Sequence, residues 1–593
     1  METTQCLGEK GSIDERPVHR SKLDLQDLDE KTNSGSEECP TVQRPRAIAV
    51  PHIPSKNCAL SEGSVSSMPE IDLEKAIPQQ GLPETHGPAW WRYIRHTFFP
   101  VYRRLFSIVF VANMTALVVM LARHTGISSE TLSQIATITT ANLLVAILMR
   151  QEHVINLLFL ICCAVPRCAP LFIRRRAAKV YHLGGLHSGC AVAATFWFLV
   201  FAVLLTQDFI LATTPEIRSD PSILIITYAL LSLLIAISIS AHPRIRAVAH
   251  NSFERIHRFA GWTALILFWT HAIILSNTLR KTYHSHPTKT LVAFFLTTPS
   301  FYFLTAITLS IVYPWVVLVK VPITTTRPSS HVIRLHFNHA SVPLFTGIRI
   351  SDSPLKEWHA FATIPEPPAS DPPLPLPNNA VTTVTKKTQP RGFSCVVSNA
   401  GDWTNRIISS PPSHIYIRGA PTRNLLHATR LFKRVVIVAT GSGIGPCLAL
   451  RYSPRNKSKT RITDNDHDST KRAAQQQNFC RILWSTASPL QTYGQGILDE
   501  IHALDKDAVI VDTRAGHNGK AGGAESEKKA KSNPARSPAS QRWRPNMVQL
   551  AWNLYRSCDA EAVFVISNPK VTALVVEGLE GRGIPAYGAL FDS

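Results

Sequence analysis

The chain has 593 residues, a formal net charge of +21 and a mean hydropathy close to zero, a length that calls for several domains. The average hides long apolar runs between about 105 and 320, with basic residues beside them or in low-complexity inserts rather than on one face, which argues against nucleic-acid binding. Eleven cysteines without a CxxC pair exclude a regular disulfide framework or zinc site.

In chain order, residues 1–88 are polar, rich in Ser, Pro and Glu, and read as a disordered cytosolic tail with no charged-then-apolar leader. An aromatic and basic collar, Trp90 to Arg104, suits a membrane interface. Spanning helices are expected at Leu105–Ala122, Ile135–Met149, Leu183–Leu205, Ile223–Ile239, His257–Leu279 and Leu291–Val319. The run Val154–Val165 is too short to span and reads as re-entrant or interfacial. Lys and Arg flank the spans on alternating sides, so six spans with both termini in the cytosol is the expected topology.

The stretch FERIHRFAGWTALILFWTH, residues 253–271, carries His257 and His271 fourteen residues apart. Helical geometry puts the two imidazoles on nearly one face, roughly 21 Å apart, a spacing suited to haem ligation near each side of a bilayer. His182 and His187 stand at the same end of the third span as His257, so an inner haem could use His257 with either of them. Fourteen residues beyond them stand Phe196 and Phe201, which leaves His271 without a partner and an outer haem unsupported.

From about Thr324 the pattern changes to short alternating strands, HVIRLHFN, EWHAFATIP and FSCVVSNAGDWTNRII, interrupted by a Pro-rich loop at 365–377. These suit a small antiparallel barrel. RVVIVATGSGIGP, residues 434–446, then reads as a buried strand followed by a glycine turn whose amides can approach a pyrophosphate. Strands at 481–486, 508–513 and 563–568 alternate with helical segments in a parallel α/β pattern. Inserts near 452–476 and 514–545 are charged surface loops. The second strand ends Trp484-Ser485-Thr486, with neither an acid for a ribose hydroxyl nor an arginine for a 2′-phosphate, so NADH and NADPH stay undistinguished.

Taken together, these parts resemble the fungal ferric reductase-like membrane flavocytochromes, kin to NADPH oxidases, and most closely their TmpA-type branch. The resemblance implies a transmembrane domain at 89–322, an FAD-binding β-barrel at 323–430 and an NAD(P)-binding α/β domain at 431–593. By the same resemblance, His359, Phe361 and Thr363 would contact the flavin, with Ala360 in place of the family's proline. Gly401, Asp402, Trp403 and Thr404 would lie at the flavin pyrophosphate, and Arg418, Gly419 and Thr422 where the barrel meets the nucleotide domain. Gly441, Ser442, Gly443, Gly445 and Pro446 match the NAD(P)H site, and the ending SNPK…GIPAYGALFDS resembles the TmpA-type terminus. The implied activity is an integral oxidoreductase of the plasma membrane, passing electrons from NAD(P)H through FAD, with one inner b-type haem, to a small-molecule acceptor. A membrane scaffold that keeps the fold without turnover is the competing expectation, and a transporter fails to explain the α/β half.

Overall fold

The computed structural model describes residues 81–123, 129–211, 221–282, 290–366, 392–452, 480–514 and 545–588. The tail up to residue 80, most of the Pro-rich loop and of both inserts, and the last five residues lie outside the described residues.

A first helix, α1 (Ala89–Thr97), leads into α2 (Val101–Arg123), α3 (Ser129–Leu148) and α4 (Glu152–Cys163). Then come α5 (Leu171–Ala177), a 3-10 turn Ala178–His182, α6 (Gly184–Leu211), α7 (Pro221–Ser240), α8 (Pro243–Val248), α9 (His250–Thr282), α10 (Leu291–Phe295) and α11 (Pro299–Val316). Among the described residues, α2, α3, α6, α7, α9 and α11 are the six helices long and apolar enough to cross a membrane. The expected sixth run divides into α10 and α11, and its last residue, Val319, begins a strand. The short run is α4: Asn156 donates to Pro421 O at 2.9 Å and accepts from Arg423 N at 2.8 Å, tying the helix to the sheets that follow.

Helix packing explains two glycines. A Cβ on Gly185 would sit 2.2 Å from Tyr102 O, and one on Gly189 would sit 3.1 Å from Phe106 O, so α6 lies directly against the backbone of α2. Deeper in the bundle, the Asn113 side-chain carbonyl accepts from Trp197 Nε1 at 3.0 Å and Asn142 Nδ2 at 2.9 Å, so the polar side chains of three helices satisfy one another.

The next layer contains β1 (Val319–Thr326), β2 (Val332–Phe337), β3 (Thr346–Ser351), β4 (His359–Ala362), β5 (Ile364–Pro365), β6 (Phe393–Ser398) and β7 (His414–Arg423). They form one antiparallel sheet in the order β4-β3-β7-β1-β2-β6-β5. This corrects the expected closed barrel, because the edge strands β4 and β5 are not hydrogen-bonded to each other. They flank Thr363, so the sheet curls until its two edges meet in one stretch of chain. Pro322 marks where β1 changes partner: Val319–Pro322 pairs with β7 and Ile323–Thr326 with β2, so the residue that lacks an N–H sits at the handover.

The last layer is a parallel sheet in the order β10-β9-β8-β11-β12, built from β8 (Val435–Thr440), β9 (Cys480–Thr486), β10 (Val509–Asp512), β11 (Ala562–Ile566) and β12 (Ala586–Gly588). The unbroken apolar run of β8 follows from cover on both faces. Val435, Ile437 and Ala439 enter one core with Trp484 and Phe564, while Val436 and Val438 enter another with Leu550 and Val575.

Paired charges join the sheet layers to the helices. Arg174, after α4, makes a two-pronged contact with Glu561 at 2.8 and 3.1 Å and donates to Leu431 O at 2.9 Å. Glu152, at the start of α4, is buried against Arg349 of β3 at 2.9 Å. Burial alone would raise the Glu561 carboxyl, but Arg174 and the Lys433 amide outweigh it and hold the group below its usual range.

Removing one partner strands the other charge, so Arg174→Ala is expected to cost roughly 3 kcal/mol. Thermal unfolding of the purified chain checks this, and Arg174→Met with Glu561→Leu should recover most of the loss. A wild-type midpoint in Arg174→Ala would show that the pair holds nothing together. Because the folded pKa of Glu561 lies below the ordinary 4.5, its contribution is present above that pH and is lost as pH falls through the folded value. Midpoints measured below pH 4.5 should therefore fall less steeply for Glu561→Gln than for the wild type.

Candidate nucleotide site

In the parallel sheet, β8 continues to β9 and β10 on one side, while β11 returns beside β8 on the other. Ligands of open α/β sheets bind where the strand order reverses, outside the carboxyl ends of the strands. Here that crevice lies between β8 and β11, where Ala439 pairs with Ile566. The following residues, Thr440 and Ser567, join through their hydroxyls.

The predicted glycine turn forms the crevice wall. Gly441 adopts φ +49°, a left-handed conformation that disfavours side chains, and its carbonyl accepts from Trp484 Nε1 at 3.0 Å. Gly443 lies against β11, and a Cβ there would stand 2.0 Å from Ile566 O. Gly445 packs near Val396 of the antiparallel sheet, Pro446 is half-buried, and Ser442 is exposed at the rim. A 3-10 turn, Gly441–Gly443, runs into α12 (Ile444–Leu448). The glycines thus have two jobs: Gly441 shapes the turn, and Gly443 allows close packing.

Sequence reasoning missed Thr440, Ser567 and Tyr493. Tyr493, at the end of α13 (Pro489–Tyr493), is buried against Trp484 with ring centroids 4.9 Å apart. Its hydroxyl comes within 3.7 Å of where a Gly441 Cβ would be, and burial raises the phenol pKa. The signal for Ser567 was readable, since it directly follows the buried strand VFVI.

The predicted flavin residues are brought together in part. His359 and Phe361 stack on Trp403, with centroids 4.3 and 5.8 Å from it. Trp403 is buried and donates to Asp352 Oδ1 at 3.2 Å. Thr363 is fully buried and bonded to the Thr346 hydroxyl at 3.0 Å. Thr404 folds its hydroxyl back onto the amides of Ala400 and Gly401 at 2.8 and 3.0 Å, while Gly401 and Asp402 are exposed. Trp403, Thr363 and Thr404 therefore bond to the protein itself. His359 Nε2 is buried without a hydrogen-bond partner, and burial lowers its pKa.

Nearby, Arg418 lies between Trp315 and Trp358, 4.8 and 4.6 Å from the ring centres. Burial, with Arg349 and Arg258 close by, lowers its pKa to about 10. Gly419 takes φ +73° beside the Glu152 carboxylate, and the Thr422 hydroxyl faces Gly347 O at 3.5 Å.

Of the two candidates to pair with His257, the structure brings His187 beside it and not His182. His187 and His257 meet with ring centroids 6.3 Å apart, and His187 Nδ1 is engaged by Ala146 O at 2.8 Å. His182 stacks on Tyr181 at 4.1 Å, and its ring lines a different cavity. His271 packs against Phe198 and Phe201, with Nε2 3.1 Å from the Thr227 hydroxyl, so it is a satisfied core histidine. Among the described residues, no group of three or more His, Cys, Asp or Glu could hold a metal ion.

A family model for the C-terminal domain of adenylate-forming reductase 03009 matches residues 425–530 and 528–593, which include the whole parallel sheet. The chain is 34% identical over 562 residues to adenylate-forming reductase 03009 of Coprinopsis cinerea, covering 92% of this chain and 47% of that protein. It is 33% identical to adenylate-forming reductase 06235 of the same fungus, covering 98% and 52%. The chain therefore spans about half the length of the curated relatives it matches. Ferredoxin-NADP+ reductase from Plasmodium falciparum with 2′P-AMP superposes at a TM-score of 0.29 and 12% identity, covering 46% of this chain and 96% of that one.

The similarity to adenylate-forming reductases overturns the expected kinship with ferric reductase-like flavocytochromes. With it fall the transmembrane electron path through FAD and haem, and the scaffold reading gains no support in its place.

Adding one methyl group at Gly443 would force β8 and β11 apart, so Gly443→Ala is expected to destabilise the α/β layer by roughly 1–3 kcal/mol. Ser442→Ala, at an exposed position, should leave the unfolding midpoint unchanged. Equal midpoints for the two variants would contradict the close approach.

Proposed function

We propose that this chain is the reducing portion of a system akin to the adenylate-forming reductases, and that its parallel sheet binds a nicotinamide dinucleotide. The observation that carries the reading is the Gly441–Gly445 turn at the reversal of strand order, inside the region matched by the relatives' C-terminal-domain model. When bound, the dinucleotide supplies hydride to the carbonyl carbon of an activated acyl group, giving an aldehyde as the activating group leaves. This substrate class follows from relatives whose names join adenylate formation to reduction.

The chain's own residues bind and orient. The turn at Gly441 and Ser442 brings backbone amides to the pyrophosphate, and Thr440 and Ser567 offer hydroxyls across the crevice. Trp484 fixes the turn through the Gly441 carbonyl, and Tyr493 behind it closes the wall to water. The six long apolar helices support seating in a lipid bilayer, with the two sheets together on one aqueous side.

Titration of the detergent-purified full chain with NADPH and NADH, followed by nicotinamide fluorescence, tests the proposal. Saturable binding is expected, and Ser442→Asp should weaken it by about tenfold or more by setting a carboxylate against the pyrophosphate. Absence of saturable binding to either nucleotide would sink the reading. Unchanged affinity in Ser442→Asp would move the nucleotide off the turn.

A further inference from the structure

A cavity of about 390 Å³ opens between the helical half and the outer edge of the parallel sheet, apart from the crevice at Gly441. Its helical wall carries Arg95, His96, Arg104, Lys179, His182 and Arg246. The opposite wall is one face of α14 (Pro569–Glu580) and the end of β12 at Gly588. That wall contributes two carboxylates, and one of them, Glu580, is taken by Lys179 at 3.0 Å. Four cations face two carboxylates, so the cavity keeps a positive surplus.

Two atoms in this wall are unexplained by the protein. His96 Nε2 and His182 Nδ1 are both buried without a hydrogen-bond partner. Orphaned buried polar atoms are costly unless something meets them. Burial lowers both imidazoles, that of His182 to about 4, so each is neutral near pH 7 and keeps one N–H to donate. Surplus positive charge with two unmet imidazole nitrogens suits a compact anion with several acceptor oxygens.

The approach to the cavity is aromatic. Trp90, Trp91, Tyr93, Phe98 and Phe99 are all exposed on and just after α1, and Phe99 also lines the cavity. Exposed aromatics beside basic residues are the pattern of a membrane-interface anchor. We propose that this cavity binds a phosphate-bearing group, supplied by the headgroup of an anionic phospholipid. The lipid source rests on the bilayer seating proposed above, whereas the phosphate chemistry stands on the cavity alone.

The test uses the detergent-purified full chain with four probes: dioctanoyl phosphatidic acid, dioctanoyl phosphatidylcholine, inorganic phosphate and adenosine 2′,5′-bisphosphate. Binding is read by native mass spectrometry and by the shift in unfolding midpoint. Phosphatidic acid should bind and raise the midpoint, and phosphatidylcholine should not. Arg95→Glu and Arg246→Glu should each weaken phosphatidic acid binding by about tenfold, while Arg255→Glu, on the exposed surface of α9, should have no effect. Two positions guard against a variant that misfolds, and unchanged NADPH binding in both separates a failure here from a failure of the nucleotide reading. Inorganic phosphate binding as tightly as phosphatidic acid would support the anion site and overturn the lipid source. Binding of the bisphosphate alone, lost in the same variants, would give the cavity to the nucleotide and overturn the proposal. No saturable binding of any probe would overturn it entirely.

Discussion

The structure depends on a seam of paired charges where the sheet layers meet the helices. Glu152 opens α4 and Arg174 lies on α5, and they reach different layers, one bonding Arg349 of the antiparallel sheet and the other Glu561 just before β11. Apolar contacts cross the junction as well, with Ala178, Leu171 and Tyr181 packed against the core that holds Leu425 and Phe432, but apolar burial is non-directional and does not by itself fix one docking position. A buried ion pair adds little net stability, yet it is costly to break, so it enforces one docking position. That position also sets Arg418 between Trp315 of the helical half and Trp358 of the sheet, and it closes the basic cavity below α1.

The same geometry separates roles that look alike in one dimension. Glycines Gly185 and Gly443 permit close approach of backbone, in the bundle and between parallel strands respectively. Gly441 serves conformation, with its left-handed φ and its carbonyl held by Trp484. A ligand at the turn would therefore meet a loop already fixed from behind, which reduces the ordering cost of binding.

The resemblance to membrane flavocytochromes rested on the assembled pattern over about 90–593, with paired histidines, a His-containing strand, a Gly-Asp-Trp-Thr stretch, the glycine turn and the C-terminal ending as its motifs. Similarity over nearly the whole chain points instead to adenylate-forming reductases. In the structure, His271 is a packed core residue, and Trp403, Thr363 and Thr404 bond to the protein itself. Short polar motifs serve local turns and cores as readily as cofactors, because a hydroxyl or an imidazole satisfies a neighbouring backbone group by the same hydrogen bond.

Hydrophobic periodicity alone determined the six long apolar helices, the change to short strands near Thr324 and the buried strand before the glycine turn. These features are local, since spacing and composition decide which face or run of a segment can be buried. Only the tertiary structure decided that His187, rather than His182, faces His257, that α4 is a bracket to the soluble half, and that the antiparallel sheet curls around Thr363 without hydrogen-bonded closure. The tertiary structure also brought Thr440 to Ser567 across 127 residues. Such contacts depend on strand order and on the angle at which layers dock, and neither is written in the spacing of residues along the chain.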